Sequence, residues 1–155
     1  MRESPKLSLA ALMRAAGKTY VIAVRTPLAQ SGFDDLPRDG VYTISAIAAG
    51  DASPADLGGR LGISKQAVSQ LLDSLVLRGY VERSIDTVDR RRMRLTLTDR
   101  GKEVAAVCRR AIDRVERRVA AMVGEERIDH TRQTLEALIE LASEWNSTVR
   151  AVQGR

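Results

Sequence analysis

The sequence has few of the residues that form disulfides, metal sites and base-stacking surfaces. One cysteine and one histidine occur among 155 residues, which excludes an internal disulfide and leaves too few ligands for a structural zinc site. One Phe, one Trp and three Tyr are too few for a surface that stacks single-stranded bases on aromatic rings. We therefore expect a fold stabilised by burial of aliphatic side chains, with no metal and no cofactor.

Long apolar runs are also missing. Charged residues or glycine interrupt every apolar stretch well before the roughly 18 residues that a membrane span requires. The N-terminal segment carries Arg2, Glu3 and Lys6 and leads into a charged amphipathic stretch rather than the apolar core of a signal peptide. The sequence predicts a cytoplasmic protein without a membrane partner.

Positive charge exceeds negative charge, and the excess is concentrated in one segment. The 25 Lys and Arg against 20 Asp and Glu give a net charge of +5, which favours polyanionic partners. Residues 60–94 hold eight basic and four acidic residues, so 8 − 4 = +4 of this charge lies there. Because single strands are disfavoured by the lack of aromatics, double-stranded DNA is the polyanion that we expect.

Apolar residues recur at three- and four-residue steps along most of the chain, which predicts helices. The first helix ends near Pro27, and residues 31–39 form a turn-rich loop. Asp39 is placed to cap a second helix that closes at Gly50. Two long helices follow Thr98 and are separated at Gly124.

The central segment has the pattern of a helix-turn-helix. Ser53 and Pro54 are typical of a helix start, and this third helix ends at Gly62. Ser64 is placed to cap a fourth helix, residues 64–78, which Gly79 terminates. One stripe of that helix is apolar. A second stripe is polar and consists of Lys65, Gln66, Ser69, Gln70 and Asp73.

A β-hairpin with a charged tip is predicted directly after the fourth helix. Residues 80–84 and 93–97 alternate apolar and polar side chains, as half-buried strands do. The loop between them, residues 85–92, carries Asp89, Arg90, Arg91 and Arg92. Three adjacent arginines repel one another, which favours a polyanion opposite them, and a DNA minor groove concentrates negative potential.

The polar face of the fourth helix suits the DNA major groove. Gln66 and Gln70 can pair with adenine, Ser69 can reach a base edge or a phosphate, and Lys65 suits phosphate or guanine. A polar helix face or a charged loop, taken separately, can equally be a solvated surface. The order of polar helix, glycine turn and arginine-tipped hairpin favours DNA binding.

The long outer helices predict a homodimer. A compact winged unit needs only residues 39–100, so the helices within 1–35 and 125–155 are additional, and 101–124 links them to it. Their apolar stripes need a partner, and a second copy of the chain is the economical one. The alternative is that they complete a monomeric helical core.

These motifs resemble the MarR family of transcriptional regulators. The resemblance rests on LGISKQAVSQLLDSLVLRGYVER (residues 61–83), DRR (89–91) and LTLTDRG (95–101). It implies a single MarR-type domain over residues 1–155, mostly α with a small β-hairpin. It also implies a dimeric repressor that reads a pseudo-palindromic operator through the fourth helix and is released by a small effector.

By this resemblance Asp89 supports the wing and Arg91 enters the minor groove. Many relatives have Arg where this chain has Gln70, so the operator bases do not transfer.

The resemblance further implies a pocket for a small aromatic or phenolic effector. Tyr20, Arg25 and Tyr42 lie where such a pocket would open, although ordinary core or surface positions are the simpler explanation for them. The oxidant-sensing branch of the family has a cysteine in the first helix, which is missing here. Cys108, in the fifth helix beside its apolar stripe, is expected to be a buried, inert thiol.

Two other functional classes compete with DNA binding as explanations of this sequence. An enzyme would have to use Cys108 and His130, which lie on different predicted helices without an orienting group or an oxyanion hole. A winged helix can also act as a protein-interaction module without DNA specificity, because fold does not fix function. The salt dependence of duplex binding separates that alternative from a DNA-binding regulator.

Overall fold

A computed structural model of the chain describes residues 7–50, 53–85 and 93–153. Within them the chain forms six helices and one two-stranded antiparallel sheet. The elements are, in order, α1 (Leu9–Gln30), α2 (Gly40–Ala48), α3 (Pro54–Leu61), α4 (Lys65–Leu77), β1 (Val81–Ile85), β2 (Met93–Leu97), α5 (Asp99–Val123) and α6 (Glu125–Gln153). The predicted fold class, mostly helical with a small β-hairpin and a winged helix-turn-helix, is confirmed.

Serine side chains cap two of the helices. The Ser8 Oγ accepts a hydrogen bond from the Ala11 amide at 3.2 Å, and the Ser64 Oγ accepts one from the Ala67 amide at 3.1 Å. Asp39 is the N-cap residue of α2 but makes no side-chain capping bond. Its carbonyl oxygen instead accepts a hydrogen bond from the Thr43 hydroxyl at 2.9 Å.

Helix α1 continues through Pro27, whereas the sequence predicted an end near that residue. The helix extends to Gln30, and the Ser31 amide donates to the Pro27 carbonyl at 3.1 Å. A proline removes only its own donor bond and strains the turn before it. Leu28, which follows it, is only 4% exposed, and its burial offsets that loss.

The first strand of the hairpin is shifted by one residue from its predicted position, whereas the second, β2, lies at the predicted residues. Strand β1 starts at Val81 rather than Tyr80, and its last residue, Ile85, pairs with Met93. The register Val81↔Leu97 and Arg83↔Leu95 places Val81 and Leu95 in the core. Tyr80 is outside the strand because its amide completes the C-terminal end of α4.

The chain divides into two compact units, Met1–Asp113 and Arg114–Arg155. The first unit contains one continuous core, whose fully buried apolar members come from α2, α3, α4, β1, α5 and the residue before β1: Ile44, Leu57, Val68, Leu75, Tyr80, Val81, Val104 and Cys108. In the second unit, Arg132 forms an exposed ion pair with Glu116 at 3.7 Å. Among the described residues, no helix is both long enough and apolar enough to cross a membrane.

Candidate nucleic-acid interface

Helix α4 has one buried face and one exposed polar face. Val68, Leu72 and Leu75 are at most 2% exposed and pack into the core. The side chains on the other face are exposed: Lys65, Gln66, Ser69 and Gln70. Ser64 is also exposed, but its oxygen is engaged as the helix cap. The structure thus brings the predicted groove-facing residues together on one surface of one helix.

Asp73 lies on the same polar face and forms an ion pair with Arg83 of β1. The Arg83 guanidinium is 2.6 Å from the Asp73 carboxylate, so the ion pair joins α4 to the first strand of the hairpin. An unpaired carboxylate on this face would repel DNA phosphates. Pairing with Arg83 removes that repulsion and also ties the hairpin to the helix.

The predicted wing tip falls outside the described residues. Asp89, Arg90, Arg91 and Arg92 all belong to it, so their roles in DNA binding remain predictions. The structure does describe both ends of the loop, at Ile85 and Met93, which are cross-strand partners.

A cluster of Phe33, Asp35, Tyr80 and Arg100 joins the loop after α1, the C-terminal end of α4 and the start of α5. The Tyr80 hydroxyl donates a hydrogen bond to the Asp35 carboxylate. The Arg100 Nη2 donates to the same Asp35 oxygen at 3.1 Å and to the Tyr80 hydroxyl at 3.0 Å. The Arg100 guanidinium lies 4.7 Å from the Tyr80 ring centre and 5.4 Å from that of Phe33, both within cation–π range.

Electrostatics in this cluster favour the charged forms of Asp35 and Arg100. The hydrogen bond from Tyr80 is the main reason that the pKa of Asp35 is lowered, and the nearby Arg100 charge adds to it. Burial raises the pKa of the Tyr80 hydroxyl, and its bond to Asp35 raises it further. At neutral pH the carboxylate is therefore ionised while the phenol keeps the proton that it donates.

Sequence reasoning did not find this cluster. Asp35 and Tyr80 are 45 residues apart, and Asp35 and Arg100 are 65 apart. Periodicity and capping signals act over a few residues, so no local pattern could pair them. Tyr80 did carry one signal, a large aromatic directly after the helix-terminating Gly79.

The residues predicted to line an effector pocket are exposed. Tyr20 and Tyr42 are 37% and 41% exposed, and Arg25 is also exposed. Tyr20 and Arg25 lie five residues apart on α1, which separates them by about 140° around the helix axis. A surface depression of about 360 Å³ on the N-terminal half of α1 is lined by Ser8, Ala10, Ala11, Arg14, Ala15 and Lys18, and it involves none of the three.

Neither candidate catalytic residue has the surroundings of an activated nucleophile or base. Cys108 is fully buried, as predicted, and burial raises its pKa to about 11, so the nucleophilic thiolate is disfavoured at neutral pH. His130 is exposed on α6. The described part of the chain contains no group of three or more His, Cys, Asp or Glu that could hold a metal ion.

Comparisons with known proteins agree on one fold. FabT from Streptococcus pneumoniae, solved in complex with DNA, is 25% identical with a TM-score of 0.69, covering 88% of this chain and 95% of FabT. MepR from S. aureus, solved as a DNA complex, is 19% identical with a TM-score of 0.70 over 88% of this chain and 98% of MepR. CouR from Rhodococcus jostii RHA1, bound to p-coumaroyl-CoA, is 20% identical with a TM-score of 0.71 over 89% and 96%. No curated protein matches the sequence.

The fold and the exposed polar helix define a winged helix-turn-helix protein. The model of the MarR family matches residues 34–92, which run from the loop before α2 to the end of the wing. Over these residues the chain matches the MarR family. Members of this family are transcription regulators and not enzymes.

Proposed function

We propose that this protein is a dimeric transcription regulator that binds a specific DNA duplex and releases it in response to a small molecule. In this proposal, the polar face of α4 enters the major groove and the wing, residues 85–92, enters the minor groove. The observation that carries it is the two-faced α4, whose exposed side presents Lys65, Gln66, Ser69 and Gln70 together. FabT and MepR, solved with DNA, support it.

Each polar residue of α4 has a distinct proposed role. Gln66 and Gln70 carry both a donor and an acceptor, which suits bidentate pairing with adenine, and Ser69 can serve either a base edge or a phosphate. Lys65 at the first turn contributes positive charge for phosphate or guanine. Ser64 keeps its hydroxyl proton for a phosphate oxygen while its oxygen caps the helix.

The wing adds a second, electrostatic contact. Arg91 is proposed to enter the minor groove, with Asp89 orienting it and with Arg90 and Arg92 next to the phosphates. The cross-strand pair Ile85↔Met93 supports this role because it fixes the two ends of the loop.

A homodimer is proposed because both outer helices expose large apolar side chains. Leu9, Val21 and Ile22 on α1 are 53%, 56% and 67% exposed, and Ile139 and Trp145 on α6 are 66% and 65% exposed. Surfaces of this kind are typical of interfaces. A two-fold dimer would present two α4 helices to half-sites about one helical turn apart, which predicts a pseudo-palindromic operator.

A small aromatic or phenolic effector is proposed to release the DNA. CouR was solved with p-coumaroyl-CoA, whose acyl group is phenolic. Tyr20, Arg25 and Tyr42 stay the proposed contacts, with Tyr20 and Arg25 on different sides of α1. An exposed ring can stack on such a ligand, and an exposed guanidinium can pair with it.

Selection of duplexes from a random pool, followed by titration over a range of salt concentrations, tests the DNA-binding proposal. The logarithm of the affinity should fall steeply with the logarithm of the salt concentration, and Arg91→Ala should flatten that slope by about one unit. Gln66→Ala and Gln70→Ala should leave the slope unchanged and relax discrimination by about 1–3 kcal/mol at single base pairs.

Exposed charges elsewhere provide the matched control for the wing variant. Arg109 is an exposed arginine on α5, so Arg109→Ala removes the same charge and should leave the salt slope unchanged. An Arg91→Ala variant with unaltered affinity would remove the wing from the mechanism. If the wild-type protein enriches no duplex, the protein-interaction module is the favoured function instead.

A further inference from the structure

Tyr80 is the residue at which the recognition helix α4, the hairpin and helix α5 meet. Its amide donates to the Leu75 carbonyl at 2.9 Å, and the Gly79 amide donates to the Val76 carbonyl at 2.9 Å, which closes the end of α4. Gly79 has a φ of 72°, a conformation that glycine adopts without strain. Tyr80 then leads directly into β1.

The carbonyl of Tyr80 is held from the other side by the start of α5. The Thr98 amide and hydroxyl both donate to the Tyr80 carbonyl at 3.2 Å, and the hydroxyl also reaches the Gly79 carbonyl at 2.6 Å. Gly101 packs so closely that a side-chain carbon there would overlap the Tyr80 carbonyl oxygen. The C-terminal end of α4 therefore cannot shift without moving the first turn of α5.

The side chain of Tyr80 extends this connection to the loop after α1. The Phe33 amide closes the end of α1 on the Leu28 carbonyl at 2.9 Å, and the Phe33 ring packs edge-on against Tyr80 at 6.3 Å between centroids. Asp35 of the same loop and Arg100 of α5 both bond the Tyr80 hydroxyl. Two elements outside the proposed DNA-facing surface, the loop after α1 and helix α5, thus converge on one phenol.

We propose that Asp35, Tyr80 and Arg100 are positioning residues for DNA recognition, which fix the orientation of α4 from its C-terminal end. The residues proposed to read bases lie in the first two turns of α4, and the whole 13-residue helix is about 20 Å long. A small rotation at the Tyr80 end therefore displaces the glutamines at the other end by a larger distance. This inference rests on the proposed function of α4 as the recognition helix.

The test measures the affinity of full-length variants for the duplex that the wild-type protein selects, at temperatures well below their unfolding midpoints. Tyr80→Phe keeps the buried ring and removes the hydroxyl, and Arg100→Gln removes the cation. Each should weaken specific binding about 3- to 10-fold, the range that corresponds to one or two lost hydrogen bonds. The salt slope of Tyr80→Phe should equal that of wild type, because no phosphate contact is lost.

Matched controls separate positioning from simple changes of charge. Lys102 lies in the same turn of α5 as Arg100 but pairs with Asp99 of that helix, at 2.9 Å. Lys102→Gln therefore removes the same charge without touching Tyr80, and it should change affinity less than about 2-fold, as expected of an exposed ion pair. Equal losses in Arg100→Gln and Lys102→Gln would overturn the proposal.

Asp35 gives a test in which the two explanations predict opposite signs. Removing a carboxylate raises the net positive charge, so electrostatics alone predicts that Asp35→Ala binds DNA more tightly. Positioning predicts weaker binding. Asp34→Ala makes the same charge change at the neighbouring exposed residue and should bind as wild type or more tightly. Tighter or unchanged binding by Asp35→Ala would refute the inference.

Two further measurements distinguish a loss of positioning from a loss of stability and from a failure of the proposed function. Thermal unfolding of each variant identifies any that is not folded at the assay temperature, in which case Tyr80→Phe, which preserves core volume, decides. If the wild-type chain selects no duplex, the proposed function of α4 fails. If it does and the three variants bind like wild type, only the positioning role fails.

Discussion

The winged part of the chain and helix α6 differ in how far their apolar side chains are buried. Ile44, Leu57 and Leu75 are at most 1% exposed, and they come from three different elements that cover one another. Among the described side chains of α6, only Ile128 and Leu138 are even half-buried. The first region encloses its own core, whereas the second has its apolar residues at the surface. We therefore expect the winged part to be stable by itself and α6 to depend on the proposed dimer.

The largest effect is expected where a charge enters the exposed apolar face of α1. Ile22 is 67% exposed, so Ile22→Glu costs little in the isolated chain but places an unpaired carboxylate in the proposed dimer interface. Sedimentation at micromolar concentration should show a monomer in place of a dimer. Leu77→Glu is the control, because Leu77 is 86% exposed on α4, and it should remain dimeric. A monomeric wild-type chain would contradict the dimer outright.

Two leucine truncations compare the regions directly. Leu75 is fully buried, so Leu75→Ala should lower the free energy of unfolding by about 2–5 kcal/mol. Leu135 on α6 is 37% exposed, so the loss in Leu135→Ala should grow with the occupancy of the dimer. Urea unfolding at several protein concentrations measures both. If the two losses of unfolding free energy depend equally on protein concentration, the proposed difference between the winged part and α6 is wrong.

A pair of glycine substitutions gives the next smaller effect. Gly101→Ala forces a methyl group against the Tyr80 carbonyl and should destabilise the chain by about 1–3 kcal/mol or more. Gly17 of α1 has no atom near the position of an added side chain, so Gly17→Ala should stabilise the chain by up to about 1 kcal/mol. Denaturant midpoints measure the expected loss of stability in Gly101→Ala and the expected gain in Gly17→Ala. A destabilised Gly17→Ala would mean that a neighbouring copy packs closely over α1.

The smallest effect concerns the Cys108 thiol in the core. Its pKa is raised from 9.0 to about 11, so the folded state favours the protonated thiol. The stability that this provides is present below pH 9 and is lost as the pH rises towards 11. Between pH 8 and 10 wild type should therefore lose about 1 kcal/mol more than Cys108→Ala. Unfolding curves of both proteins at the two pH values measure this difference. Equal losses of unfolding free energy would show that the thiol is accessible to solvent.

Local signals were sufficient to predict most elements of this fold. Ser64 and Gly79 mark the two ends of α4 because capping and left-handed termination are properties of single residues. Pro27 misled the prediction, since the burial of Leu28 depends on distant residues that local pattern does not show. The Asp35, Tyr80 and Arg100 cluster was missed for the same reason. The polar face of α4 was predicted correctly because helical periodicity alone determines it.

The pairing of Ile85 with Met93 has a consequence for how such a regulator changes over evolutionary time. Seven residues separate this pair in sequence, and the entropic cost of closing a loop grows only slowly with its length. Residues can therefore be exchanged, gained or lost between these anchors without altering the strand register or the core beneath α4. Under the proposed function, preference for the sequence that flanks an operator can therefore change through the wing while the bases read by α4 stay the same.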